Sequence, residues 1–327
     1  MMAEAYQTFV EKFPGLVKKD VLLAPYTTFK IGGPADLLVE ARNREELVAF
    51  VLSARDMNIP ITFLGGGSNL LIGDRGIRGL VVRNLTQKIV IMGMKGAMNE
   101  LKTSGTVYVE ADSGVPINKF VRYTVEEGLS GLEMHLGLPG SVGGAVYMNS
   151  KWTNPVGYVG DAVYQASILT NSGEVKTVPK RYFQFAYDMS ILQKTHELVL
   201  SVVFTLKKES KELLWKQANE SIAHRRATQP QGVFTAGCIF QNLSESDALT
   251  FATPGHSRSA GYLIDSAGFK GKQIGGAVVS SVHANFIVNM GKASASDVLQ
   301  LISMIKEKVH SQFGVTLKEE IQHMGEF

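Results

Sequence analysis

Apolar residues along the chain follow two rhythms. Residues 37–41 (LLVEA) read as a strand, and over 44–58 Leu47, Phe50, Val51 and Ala54 recur on one helical face. Asn43, with Glu46 three positions on, makes a capping-box-like start for that helix, and Pro60 its stop. Residues 61–64 return to strand and feed directly into a glycine turn, and 79–83 predict a further strand. The polar, glycine-containing stretch 93–105 then separates off a second unit. There, residues 106–111 read as a strand, and Pro116 opens a helix carrying Ile117, Phe120, Val121 and Val125 that Gly128 closes.

After a glycine cluster at 137–145 the pattern turns to β. The strongest strand is 197–206, where Leu198, Leu200, Val202, Phe204 and Leu206 alternate. A composition shift follows at the charged run 207–212. The helix after it sets Leu214, Ala218 and Ile222 on one face, with Pro230 beyond its end. Residues 233–242 are strand-like, and 258–267 predict a short helix ended by Gly268. The clearest helix spans 296–313, with Val298, Leu301, Ile302, Ile305, Val309 and Phe313 on one face and Gly314 as its terminator. The expected class is α+β in three compact units, 1–85, 86–206 and 207–327, without internal repeats.

Composition narrows the function classes. The chain has 327 residues, 45% hydrophobic and 19% charged, an ordinary globular balance that excludes a disordered or collagen-like chain. Its 33 Lys and Arg against 30 Asp and Glu argue against a dedicated nucleic-acid binder. The single cysteine, Cys238, excludes an internal disulfide, and the dispersed histidines show no metal-ligand spacing. No apolar run has the length of a membrane span, and the acidic N-terminus does not read as a secretory signal, so a cytoplasmic location is expected.

Glycine is the unusual count, at 33, and it clusters in IGGPA (31–35), LGGGSN (64–69), GLPGSVGGA (137–145) and IGGA (274–277). LGGGSNLL leaves a strand with three glycines whose N–H groups can converge, and Ser68 and Asn69 add donors, which suits a diphosphate. It has neither a Walker lysine nor dinucleotide-binding glycine spacing, and alone it is equally a plain turn. GLPGSVGGAVYMN (137–149) offers a bare backbone against which a planar ring can lie, or a tight interdomain turn. Cys238 reads alone as a buried small hydrophobe. If 233–242 is a strand, Cys238, Phe240 and Asn242 share one side of it. Glu320 reads alone as a surface residue, Arg225 and Arg226 as a solvated helix end, and His283 as a partner for a neighbouring loop.

Six segments occur in a telling order: TTFKIGGPAD (27–36), LGGGSNLL (64–71), GLPGSVGGAVYMN (137–149), AGCIFQN (236–242), AGYLID to HANFIVN (260–289) and FGVTLKEEI (313–321). Together they resemble the UDP-N-acetylenolpyruvoylglucosamine reductases, the MurB family, from about residue 22 to 325. The two glycine loops are shared with the wider vanillyl-alcohol-oxidase/PCMH-type flavin fold. The resemblance implies two FAD-binding α+β subdomains, 1–85 and 86–206, and an α+β substrate domain, 207–327. The short spacing before AGC is similar to the subclass lacking an extra tyrosine-bearing loop.

What the resemblance implies is a flavoenzyme of peptidoglycan precursor synthesis, and so of cell-wall biogenesis, cell shape and division. NADPH is its co-substrate, FAD its cofactor and UDP-N-acetylglucosamine-enolpyruvate its substrate. Hydride goes to C3 of the enolpyruvyl group, charge develops at C2, and an acid protonates C2. Carried over by position, Cys238 matches the proton donor, usually serine, and Glu320 the catalytic glutamate. Tyr187, Arg225 and Asn242 match substrate-binding positions. Gly65, Gly66, Gly67, Ser68, Asn69, Gly114, Pro139, Gly140, Ser141, Gly143 and Gly144 match the FAD-binding positions. A monomer without metal, membrane span or nucleic acid is expected.

Several positions depart from the family pattern. Asp188 stands where FGYRDS has its arginine, Gln241 where FKNP has its lysine, and Gln322 where an arginine follows the glutamate segment. NAGAYG is replaced by Asn149-Ser150-Lys151-Trp152. Lys151, Arg181 and Lys194 are the candidates to supply the missing charge. These losses keep two other readings open: a flavin oxidoreductase of the same fold with another substrate, and a paralogue that binds nucleotide sugar without turnover.

Overall fold

The computed structural model describes residues 2–95, 105–153, 156–251 and 253–327. Its contacts gather the chain into two compact units. One takes the N-terminal residues to Leu16 with Val39–Gly66 and Val82–Arg225; the other takes Val17–Leu38, Gly67–Val81 and Arg226–Phe327. The α+β class is observed in both.

The first unit is built on an antiparallel sheet. Its strand order is Val175–Pro179, Val163–Leu169, Leu198–Lys208, Thr106–Asp112 and Ile89–Lys95, with the short Leu129–Ser130 beside Leu198–Lys208. Leu198–Lys208 is central because its alternating Val202, Phe204 and Leu206 are fully buried, each worth about 1.5–3 kcal/mol out of water. The helix Ile117–Glu126 lays Ile117, Phe120, Val121 and Val125 into the same core, with the Phe120 and Phe204 rings 4.8 Å apart. Leu214 and Ala218 of the helix Lys211–Thr228 also pack there, so the residues just after 206 join this unit. The strand Ile89–Lys95 takes in the start of the stretch read as a separator; residues 96–104 of that stretch lie outside those described.

The second unit centres on the helix Ala295–Phe313, which buries all six apolar residues expected of it. Ser294 caps it, and the Asp74 carboxylate accepts from the N–H groups of Ala295 and Ser296 at 2.8 and 3.0 Å. The helix Ala260–Ser266 and a three-stranded sheet, Gln273–Ile274, Ala277–Val279 and Ile287–Asn289, complete its core. Strand Gln322–Met324 pairs in parallel with Leu70–Ile72. Lys18–Leu22 pairs antiparallel with residues 34–38, from Lys18 opposite Leu38 to Leu22 opposite Pro34.

Three expectations are corrected. Residues 233–242 do not form a strand: Gly237 takes φ +87°, and the segment makes only isolated bridges, Phe234 to Asn289, Cys238 to Phe286 and Phe240 to Glu319. Residues 137–149 are not all loop, because Val142–Met148 is a helix capped by Ser141. The helix starting at Arg44 ends at Asp56, before Pro60, where Asn58 takes φ +53°.

Candidate active site

The two glycine loops touch backbone to backbone. A Cβ added at Gly66 would lie 2.5 Å from Gly140 Cα, and one at Gly65 2.5 Å from Ser141 Oγ, so a side chain at either position forces the loops apart. Gly67, at φ +64°, would drive a Cβ to 2.4 Å from the Tyr26 carbonyl oxygen, and its own carbonyl accepts from Thr28 N–H at 3.0 Å. Ser141 Oγ accepts from Gly144 N–H at 3.3 Å and so starts the Val142–Met148 helix. Gly66, Pro139 and Gly144 remain exposed, and a Cβ at Gly144 would meet nothing nearer than Ser141 Oγ at 3.5 Å. This bare backbone surface, where the two glycine loops meet, fits a cofactor such as FAD. Gly114 and Gly143 are closely packed: added Cβ atoms would meet Asn84 Oδ1 at 2.5 Å and Ser113 Cβ at 3.0 Å.

In the second unit the backbone brings Cys238 and Glu320 onto neighbouring segments. Glu320 N–H donates to the Ile239 carbonyl at 2.8 Å, and Gln241 N–H to the Lys318 carbonyl at 2.9 Å. Asn69 belongs to the same arrangement: its side-chain amide donates to the Glu320 carbonyl at 3.0 Å, and its carbonyl accepts from Gln322 N–H at 2.9 Å. Sequence reasoning missed Asn285, which is 3% exposed. Its carboxamide pairs with both backbone groups of Phe240, accepting at 2.9 Å and donating at 2.8 Å, and its carbonyl accepts from Ile239 N–H at 2.8 Å. One buried side chain thereby fixes the segment that carries the cysteine. Cys238 is half-buried, Phe240 fully buried and Asn242 exposed, so the shared face expected for the three is not observed. Asn242 instead accepts from Ala260 N–H at 3.1 Å, ahead of the helix Ala260–Ser266. His283 Nδ1 accepts from Asn285 N–H at 3.2 Å, a local structural bond, and burial, with Lys270 adding to it, lowers the ring's pKa.

In the first unit a charged cluster lies past the C-terminal end of the Val142–Met148 helix. Lys151 Nζ is 3.0 Å from Asp188 Oδ2 and 3.7 Å from the centre of the Tyr187 ring. Burial pushes the Asp188 carboxyl above its ordinary value, while Lys151 and the Tyr187 hydroxyl pull it back. Of the three candidate cations, Lys151 is the one paired with Asp188; Arg181 and Lys194 are exposed. Arg225 stacks over Trp152 at 4.8 Å, with its Cδ next to Gly137. His135, 3% exposed, borders a small cleft with Trp152, Tyr158 and Asp161. Neither of its ring nitrogens meets an aligned partner. Burial, then the Arg225 charge, lowers its pKa to about 4 against the pull of the nearby Leu132 and Ser150 carbonyls. Only its placement between the apolar Met134 and Leu136 hinted at this.

Residues 35–179 match the family model of an FAD binding domain, and residues 229–324 that of the UDP-N-acetylenolpyruvoylglucosamine reductase C-terminal domain. The chain is 35% identical over 327 residues to UDP-N-acetylenolpyruvoylglucosamine reductase 2 of Bacillus cereus strain ATCC 10987, spanning 99% of this chain and 98% of that one. It is 37% identical over 300 residues to the reductase of Syntrophobacter fumaroxidans, spanning 92% and 81%. The crystal structure of the reductase from Thermus caldophilus matches with a TM-score of 0.74 at 33% identity, covering 94% of this chain and 98% of that one.

Proposed function

The chain belongs to the UDP-N-acetylenolpyruvoylglucosamine reductase family, and from that premise we propose that it reduces UDP-N-acetylglucosamine-enolpyruvate to UDP-N-acetylmuramate with NADPH and FAD. When bound, FAD supplies the hydride chemistry. The residues to hold it are the touching loops, Gly65 and Gly66 with Gly140 and Ser141, together with Gly67, Ser68 and Asn69.

The chain's own work is to place the sugar and manage charge and protons. Once C3 of the enolpyruvyl group has gained hydride, C2 carries negative charge conjugated with the carboxylate and needs a proton. Cys238 is the acid of this reading, since a thiol with a reference pKa of about 8.5 yields its proton more readily than serine. Glu320 is the second catalytic group, its main chain tied to Ile239 and to Asn69. Tyr187, Arg225 and Asn242 contact the substrate in this reading, and Arg225 suits the diphosphate because it presents a planar fork of donors.

The observation that carries the assignment is the Ile239–Glu320 hydrogen bond of 2.8 Å, which sets the two proposed catalytic residues on paired segments inside the domain that the reductase model matches. The relatives at 35–37% identity favour neither a different substrate nor a paralogue without turnover. A role in cell-wall synthesis, a cytoplasmic location and a monomeric state complete the reading; among the described residues no helix is long and apolar enough to cross a membrane. The test is NADPH oxidation by purified protein with the enolpyruvyl sugar as acceptor. Formation of UDP-N-acetylmuramate supports the reading, and NADPH consumption without it argues for another acceptor.

A further inference from the structure

We infer that Lys151 is the cation that grips the substrate's carboxylate, with Asp188 as the positioning residue that holds the ammonium in place. This rests on the reductase reading and names a contact that reading leaves open.

The geometry starts from the short helix Val142–Met148. Asn149 ends it in a left-handed conformation, with its side chain donating to the Ala186 carbonyl at 2.8 Å and accepting from Gly160 N–H at 3.0 Å. Ser190 Oγ donates to the Tyr147 carbonyl at 2.7 Å, and Gln193 Nε2 to the carbonyls of Tyr147 and Asp188 at 3.2 and 3.0 Å. The 186–190 loop is thereby stitched to the end of the same helix whose first turn carries Gly143 and Gly144. Seven residues at about 1.5 Å each separate the glycine loop from this end by roughly 10 Å, within the span of one extended ligand.

Lys151 starts the strand Lys151–Thr153, and its side chain runs into this corner. Asp188, at φ +49°, turns its carboxylate to Lys151 Nζ at 3.0 Å. The two side chains keep only 15% and 4% of their exposure. A buried ion pair is weak evidence of stabilisation, because the desolvation of both charges offsets their attraction. Its presence at this corner is better explained by use. Tyr187, 37% exposed, lays its ring 3.7 Å from Nζ, so the ammonium lies under a partly open aromatic lip. A bare aspartate here would repel a carboxylate. Lysine beside the aspartate matches its charge, and its ammonium is a three-donor group that can exchange a contact for the substrate's carboxylate while staying on Asp188. Charge that develops at C2 spreads into that carboxylate, so the same contact strengthens as the reaction proceeds.

The experiment compares wild type with Lys151→Arg, Lys151→Met and the charge-free double variant Lys151→Met/Asp188→Asn, which leaves no buried lone charge and keeps the comparison valid if the single variant misfolds. Calorimetry measures affinity for UDP-N-acetylmuramate, which carries the carboxylate, and for UDP-N-acetylglucosamine, which lacks it. The expected result is a preference for the carboxylate-bearing sugar in wild type, reduced by about tenfold or more in the double variant and largely restored by arginine. Steady-state turnover of the enolpyruvyl sugar should fall by about 10²-fold or more in kcat/KM. An unchanged preference ratio together with turnover within about threefold of wild type would make the pair purely structural and overturn the inference. Wild-type protein that fails to convert the enolpyruvyl sugar at all overturns the reductase reading, and the inference falls with it.

Discussion

Glu320 donates its backbone N–H to the carbonyl of Ile239 at 2.8 Å, and Ile239 follows Cys238 directly in the chain. The two positions assigned to proton handling, more than eighty residues apart in sequence, are therefore set by one hydrogen bond between neighbouring segments. Asn285, buried beneath, clamps both backbone groups of Phe240 and keeps that pairing in register.

If Cys238 is the acid, its chemistry and not its bulk matters. Cys238→Ala should lower turnover of the enolpyruvyl sugar by about 10²-fold or more, the usual scale for loss of a positioned acid, while Cys238→Ser keeps substantial activity. Stopped-flow reoxidation of the pre-reduced enzyme by the sugar checks this. A near wild-type rate in the alanine variant would make the cysteine structural.

Contact between the glycine loops predicts an intolerance that charge plays no part in. Gly66→Ala inserts a methyl 2.5 Å from Gly140 Cα, against backbone that has no rotamer with which to yield. We expect about 1–3 kcal/mol of destabilisation, as for overpacking, together with reduced flavin content. Thermal unfolding and the flavin-to-protein absorbance ratio measure the two effects. Substitution of the half-buried Gly157, whose added Cβ meets nothing within 4 Å, serves as the control.

His135 should make the fold acid-sensitive. Its folded-state pKa lies at about 4, below the reference 6.5, so the unfolded chain binds the proton first as pH falls. Stability from this residue is present above pH 6.5 and is lost as pH falls toward 4, by on the order of 3 kcal/mol in all. Urea unfolding of wild type and His135→Leu across that window should show the leucine variant losing less. Parallel curves would show that the ring is not buried in its neutral form.

Restoring an arginine at 188 should fail in this chain. Asp188 is 5% exposed, sits at positive φ and faces Lys151 at 3.0 Å, so Asp188→Arg places two cations in one buried corner. Losing a buried charge partner typically costs about 3–5 kcal/mol, and like-charge repulsion adds to it. A drop in melting temperature with little soluble protein is expected. A stable and more active variant would show that the corner can accommodate the family's arrangement.

Much of this architecture was legible in the chain. Asn43, Pro116 and Gly314 mark element ends because capping chemistry is local, and the 3.6-residue pattern from Val298 to Phe313 identified the helix Ala295–Phe313 without knowledge of its partners. The helix Val142–Met148 was hidden because Gly143 and Gly144 have poor intrinsic propensity. It forms because Ser141 caps it and tertiary bonds hold it, such as Gly143 N–H to the Ser113 carbonyl at 2.8 Å. The strand-like segment 233–242 forms no strand because Gly237, at φ +87°, breaks the pleat. The Cys238, Glu320 and glycine positions came from motif resemblance, whereas the pairing of Lys151 with Asp188 spans 37 residues and exists only through tertiary structure.

The most direct measurement of the central claim follows the flavin itself. Purified protein reconstituted with FAD is mixed anaerobically with NADPH and then with UDP-N-acetylglucosamine-enolpyruvate while the flavin absorbance is recorded. Bleaching by NADPH and full return of the yellow colour on adding the sugar, with one UDP-N-acetylmuramate formed per flavin reoxidised, is the result predicted for a reductase of this family. A reduced flavin that stays bleached in the presence of the sugar, or a chain that retains no FAD, would contradict it.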